Sequence, residues 1–104
     1  MSAAWQAVAT LDDFAASDAI AVVAGGREIA IYLVDGAVYA TANRCTHGDA
    51  LLCDGFLEGH EIECPLHQGK FDVRDGTPTC EPVTEALRSY PVKIDGQRVY
   101  LRVD

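Results

Sequence analysis

No long apolar run occurs in this sequence, so no membrane-spanning helix is readable in it. The start, Met1-Ser2-Ala3-Ala4-Trp5-Gln6, lacks the basic residues and apolar core of a secretory signal, and a cytoplasmic chain without membrane contact is expected. Positive charge is scarce: eight Lys and Arg stand against sixteen Asp and Glu, a formal charge of -8. That balance opposes nucleic acid and anionic lipid and suits a basic protein partner, although acidity also serves plain solubility. Histidine is scarcer still, at three residues. Linkers, repeats and low-complexity segments are missing, and a 49% hydrophobic, 23% charged composition argues against disorder. One domain spanning 1–104 is expected, burying roughly 60–70% of its unfolded surface. Without an export signal, the four cysteines are better read first as metal ligands than as a disulfide framework.

What the chain does have is turn punctuation. Asp-Gly recurs at Asp35-Gly36, Asp54-Gly55, Asp75-Gly76 and Asp95-Gly96, and this dipeptide readily takes the positive φ angles of tight hairpin turns. Between turns the apolar pattern has period two. Ile29, Ile31 and Leu33 alternate with Glu28, Ala30 and Tyr32, and Val99, Leu101 and Val103 alternate with Arg98, Tyr100 and Arg102, which predicts half-buried strands. Further strands are expected near 5–9, 20–24, 38–41, 62–63, 71–73 and 89–94, with a capped helical turn over 10–14. No helical periodicity extends beyond that turn, so the fold class is all-β, an antiparallel β-sandwich or small barrel.

Two clusters interrupt the β pattern, Cys45-Thr46-His47-Gly48 and Cys64-Pro65-Leu66-His67-Gln68-Gly69, each where a strand gives way to a loop. Each offers one thiolate-forming residue and one imidazole. Gly48 and Gly69 let the backbone pass close to a bound group, and Pro65 stiffens the second loop. Buried cysteines are usually packing residues. Here two of the three histidines follow a cysteine by two or three residues, and both pairs lie beside glycine, which favours ligation. Structural zinc sites prefer Cys-x2–4-Cys and His-x3–5-His spacing around one ion, and Cys45-x-His47 fits that poorly. In a two-metal cluster both thiolates can hold one iron and both imidazoles the other. A zinc-stabilised binding module using the same four residues is the alternative, and it would be colourless.

Cys45-Thr46-His47-Gly48, then sixteen residues between His47 and Cys64, then Cys64-Pro65-Leu66-His67: this pattern resembles the Rieske iron–sulfur proteins, and over essentially the whole chain a free-standing Rieske-type ferredoxin. The resemblance implies stacked antiparallel sheets with a small cluster-binding subdomain and one 2Fe-2S cluster. In it Cys45 and Cys64 would bind one iron, and His47 and His67 the other. It further implies a monomeric one-electron carrier, not an enzyme, working between an NAD(P)H-dependent flavoprotein ferredoxin reductase and a terminal ring-hydroxylating Rieske oxygenase in bacterial aromatic degradation. A small Rieske subunit of an assimilatory nitrite reductase is the family's other fit. Oxygenase chemistry of its own is excluded by count: with His47 and His67 committed, only His60 remains for a mononuclear iron that needs two histidines and a carboxylate.

Two ferric ions, two sulfides and two thiolates sum to zero charge, whereas four thiolates leave two negative charges, so imidazole ligation eases electron acceptance. The imidazole iron should take the electron, and the loop tips should be where partners dock. Rieske proteins of quinol-oxidising complexes carry an extra cysteine in each loop and hydroxyl donors past the second histidine. The corresponding residues here are Ala50, Leu66, Gly69 and Phe71. Lost hydrogen bonds to sulfur should lower the potential toward about -150 mV.

Other residues have weaker claims. Cys53 and Cys80 match no ligand position and are expected as buried reduced cysteines, with a mutual disulfide as the alternative. His60 is expected to be a solvated loop residue, and Trp5 a core residue. Thr77-Pro78-Thr79-Cys80-Glu81-Pro82 reads as a rigid loop, either covering the cluster as a proline-bearing loop does in the family or forming a plain surface connection.

Overall fold

The computed structural model describes residues 4–46, 48–66 and 68–103. Its strands are β1 (Trp5–Thr10), β2 (Ala19–Ala24), β3 (Arg27–Val34), β4 (Ala37–Ala42), β5 (Phe56–Glu58), β6 (Glu61–Glu63), β7 (Lys70–Asp72), β8 (Pro78–Cys80), β9 (Ser89–Tyr90), β10 (Val92–Asp95) and β11 (Arg98–Arg102). They build three antiparallel sheets with strand orders β1-β11-β10, β2-β3-β4-β9 and β5-β6-β7-β8. Among the described residues the helical elements are two short 3-10 turns, Leu11–Phe14 and Leu52–Asp54. The first is capped as the sequence predicts, the Thr10 N–H donating to the Asp13 carboxylate at 2.9 Å. No helix here is long and apolar enough to cross a membrane.

The β2-β3-β4-β9 sheet is the middle layer, because β3 is apolar on both faces. Ile29 and Ile31 pack into one core with Val99 and Leu101 of β11. Ala30 and Tyr32 face a second core, with Ile62 of β6 and Phe71 of β7. This corrects the half-buried reading of 28–33, in which Ala30 and Tyr32 were on the solvent side: both are fully buried. A strand covered on both faces loses its polar alternation. β11, with one face wet, keeps it: Val99 and Leu101 are buried between exposed Arg98 and Arg102.

Three of the four Asp-Gly pairs turn hairpins, between β3 and β4, β7 and β8, and β10 and β11. At Asp35-Gly36 both residues have positive φ, 50° and 82°, as a two-residue hairpin of this twist demands. Asp54-Gly55 departs from the pattern. It ends the second 3-10 turn and leads into β5 with Gly55 at φ -86°, and the glycine serves close approach instead, since a Cβ there would overlap the Glu63 carbonyl oxygen.

The stretch 89–94, predicted as one strand, is two. Ser89–Tyr90 pairs with β4 in the middle sheet, and Val92–Asp95 with β11 in the outer one. Pro91 sits at the switch, with no N–H to offer either ladder. β5 and β8 are additional to the predicted strands. Trp5 is a further correction: it is partly exposed on the outer face of the β1-β11-β10 sheet, with the charged ends of Lys93 and Arg102 5.1 and 5.2 Å from its ring centroid.

Candidate metal centre

Both cysteine loops close in the same way. In the first, Arg44 and Leu51 form an isolated bridge, and the Cys45 N–H donates to the Ala50 carbonyl at 2.9 Å. In the second, between β6 and β7, the Cys64 N–H donates to the Gly69 carbonyl at 2.7 Å. Each cysteine thus bonds to the carbonyl five residues on and stands at the base of its loop. Both side chains turn inward, Cys45 being 4% and Cys64 1% exposed, within the core that contains Ile62, Phe71, Val83 and Leu87.

The two sulfurs are neighbours and are not joined in a disulfide. Burial pushes the Cys64 thiol up, and the adjacent Cys45 adds to this; the Leu66 N–H directed at the Cys64 sulfur works the other way. Two adjacent buried thiols cannot both ionise in apolar surroundings unless a cation joins them. Ferric iron is such a cation, and thiolate is the ligand proteins give it in iron–sulfur clusters. The donor set therefore fits the thiolate half of a 2Fe-2S site. His47 and His67, the predicted imidazole half, lie in these loops by sequence and outside the described residues. Among the described residues no three His, Cys, Asp or Glu side chains converge.

The loops rest on residues that the sequence reading passed over. Asn43, two residues before Cys45, is fully buried. Its Oδ1 accepts from the Cys53 N–H at 2.9 Å, its Nδ2 donates to the Cys53 sulfur at 3.4 Å, and its carbonyl accepts from the Leu52 N–H at 2.7 Å. These bonds pin the 3-10 turn to the end of β4, so both ends of the first loop are held. An asparagine between a strand and a cysteine motif was the only signal for this.

The Thr46 hydroxyl donates to the Glu85 carbonyl at 2.8 Å, and Val83 lies against Gly69. The chain over 83–85 therefore touches both cysteine loops. The rigid segment expected at 77–82 is instead partly strand, as β8, and the contact to the loops comes just after it. Gly69 approaches Val83 closely, whereas a Cβ on Gly48 would meet nothing within 4 Å.

Cys53 is half-buried and Cys80 exposed, which corrects the buried reading, and neither forms a disulfide. His60, expected in solvent, is half-buried in the β5–β6 turn with its ring edge-on to Tyr39, centroids 5.7 Å apart.

The sequence matches the Rieske [2Fe-2S] domain over residues 4–91. It is 52% identical over 104 residues to the ferredoxin component of the naphthalene 1,2-dioxygenase/salicylate 5-hydroxylase systems of Ralstonia sp., covering 100% of both chains. The fold superposes on the ferredoxin of carbazole 1,9a-dioxygenase from Nocardioides aromaticivorans IC177 with a TM-score of 0.88 at 38% identity, covering 93% of this chain and 95% of that one. A structure of reduced oxygenase with oxidised ferredoxin in carbazole 1,9a-dioxygenase gives 0.86 at 36% identity, covering 94% of this chain and 92% of the matched chain. The chain belongs to the Rieske [2Fe-2S] domain family. Within that family it is a ferredoxin: it carries one 2Fe-2S cluster, and its part is electron transfer rather than catalysis.

Proposed function

We propose that this chain is the ferredoxin of an aromatic-ring dioxygenase system, taking single electrons from an NAD(P)H-dependent flavoprotein reductase and passing them to a terminal Rieske oxygenase. Cys45 and Cys64 hold one iron and His47 and His67 the other. When bound, the cluster supplies a one-electron couple. The chain's own residues bury the thiolate side among Ile62, Phe71 and Val83, which keeps water from the sulfurs. They also leave Leu66, next to His67, 43% exposed at the second loop, an apolar contact for a docking partner. Residues 1–104 act as a single monomeric Rieske domain in the cytoplasm, with the acidic charge set against nucleic acid. The absent hydroxyls at Gly69 and Phe71 favour a low potential.

The observation that carries this reading is the pair of identically closed loops with two buried, adjacent thiols at their bases. It stands in a chain 52% identical from end to end to a dioxygenase-system ferredoxin. The test is spectroscopic and kinetic. The purified protein should be red-brown, and dithionite reduction should give a paramagnetic signal with a lower average g value than an all-thiolate cluster. Cys45→Ser and Cys64→Ser should lose it, and His47→Cys or His67→Cys should shift it. The reduced protein should be reoxidised by a ring-hydroxylating oxygenase. A colourless protein with stoichiometric zinc would overturn the cluster assignment, and a reduced cluster that no oxygenase reoxidises would overturn the partner.

A further inference from the structure

The side chains just beneath the second cysteine loop include a row that faces away from the core. Phe56, Glu63 and Lys70 are cross-strand neighbours on β5, β6 and β7, and Glu63–Lys70 is the last pair before the loop that Cys64 and Gly69 close. The next row is Glu58, Glu61 and Asp72. Strand alternation puts all of these on the outer face, with Ile62 and Phe71 on the inner one. Phe56, Glu58, Glu61, Glu63 and Lys70 line one shallow hollow, and Phe56 is 69% exposed.

A single exposed hydrophobic residue means little. Phe56 is set apart by its surroundings: three glutamates, none in an ion pair among the described residues, lie around an aromatic ring one row from a cluster loop. An aromatic centre with a charged rim is the anatomy of a binding hot spot. The outer face of the β1-β11-β10 sheet, on the far side of the molecule, is net basic: Lys93 and Arg102 lie over Trp5, and Arg98 stands further along β11 opposite Asp95. The charge is thus polarised, and its acidic pole adjoins the cluster.

The geometry points to the outer face of β5-β6-β7 as the surface on which a terminal oxygenase docks, with Phe56 entering an apolar recess and Glu58, Glu61 and Glu63 meeting Lys and Arg side chains around it. This rests on the reading of the chain as a dioxygenase ferredoxin. The oxygenase is chosen over the reductase because a chain of this fold is found in complex with one. Leu66, in the loop that follows β6, is also exposed, and a partner covering both residues would span the anchor and the second cluster loop.

The test uses the cluster-loaded protein and the oxygenase of the Ralstonia sp. naphthalene 1,2-dioxygenase system as the probe. Reoxidation of the reduced ferredoxin is followed as oxygenase concentration and salt are varied. Phe56→Ser should raise the apparent Kd about tenfold. Glu58→Gln with Glu61→Gln, which leaves Glu63 beside Cys64 intact, should flatten the salt dependence. In both variants the visible spectrum, reduction potential and reduction by the reductase should match the parent. An unchanged Kd for Phe56→Ser, or an unchanged salt dependence for the double variant, overturns the proposal. So does an effect confined to reduction by the reductase, which would assign the face to that partner. Failure of the unsubstituted protein to deliver electrons to the oxygenase would instead sink the underlying reading, and the proposal with it.

Discussion

A Cβ on Gly69 would lie 2.5 Å from Cγ1 of Val83. The second cysteine loop therefore fits against the 83–85 segment because residue 69 has no side chain. The missing hydroxyl at this position, read from the sequence as a determinant of potential, is equally a packing requirement. Gly69→Ser alone should destabilise the protein by about 1–3 kcal/mol, the usual effect of overpacking. Gly69→Ser combined with Val83→Ala should recover part of that and show a reduction potential above the parent. Thermal melts check the first statement, where undiminished stability would refute it. Voltammetry checks the second, where an unmoved potential would show that a hydroxyl at residue 69 does not tune the cluster.

Thr46 ties the first loop to the same segment through its 2.8 Å bond to the Glu85 carbonyl. The bond is exposed, so Thr46→Val should lower global stability by no more than about 1 kcal/mol. Its effect should appear in cluster retention. The visible absorption should bleach severalfold faster in the presence of an iron chelator, because the first loop has lost its tie to the segment against which the second also packs. Bleaching at the parent rate would show that the tie is incidental.

Asn43 has a heavier role, since it is buried and satisfies the Cys53 N–H. Asn43→Ala leaves that donor without its partner, at about 1–3 kcal/mol, and frees the 3-10 turn that anchors the first loop. Expression should yield protein with lower iron content per chain, measurable by iron and sulfide assay. Full iron content with a parental melting point would contradict the anchoring role.

The difference between Cys45 and Asn43 also shows what the sequence could reveal. Cys45 and Cys64 were legible because a cysteine beside a histidine and a glycine announces chemistry by residue type alone. Asn43, Val83 and Glu85 do not, because they act through contacts such as Asn43 to Cys53, ten residues apart, and Thr46 to Glu85, thirty-nine apart. The same contrast runs through the fold. The alternation of β11 was readable because one face meets water, whereas β3 lies between two cores and its pattern named only one of them. β5, at three residues, is too short to show a period. Hydrophobicity alone assigns Trp5 to the core, whereas at the surface its ring lies under two cations, Arg102 on β11 and Lys93 on β10.

On the face of β3 and β4 that meets the core with Ile62 and Phe71, Tyr32 and Thr41 form a buried relay with a definite direction. The Thr41 hydroxyl donates to the Ala42 carbonyl at 2.9 Å, so the Tyr32 hydroxyl, 2.9 Å away, donates to Thr41. Removing the acceptor should then be worse than removing the donor. Thr41→Val strands a buried phenol O–H and should cost about 1–3 kcal/mol, whereas Tyr32→Phe leaves Thr41 its bond and should cost about 0.5–1.5 kcal/mol. Burial holds the Tyr32 phenol far above its usual value of 10.0. Above roughly pH 10 the unfolded chain releases this proton while the folded chain keeps it, so stability falls as pH rises. Tyr32→Phe should lose that part of the fall. Denaturant midpoints at about pH 8 and above pH 10 test both points: equal alkaline sensitivity in the parent and Tyr32→Phe would refute the raised phenol, and a Thr41→Val protein more stable than Tyr32→Phe would refute this direction of donation.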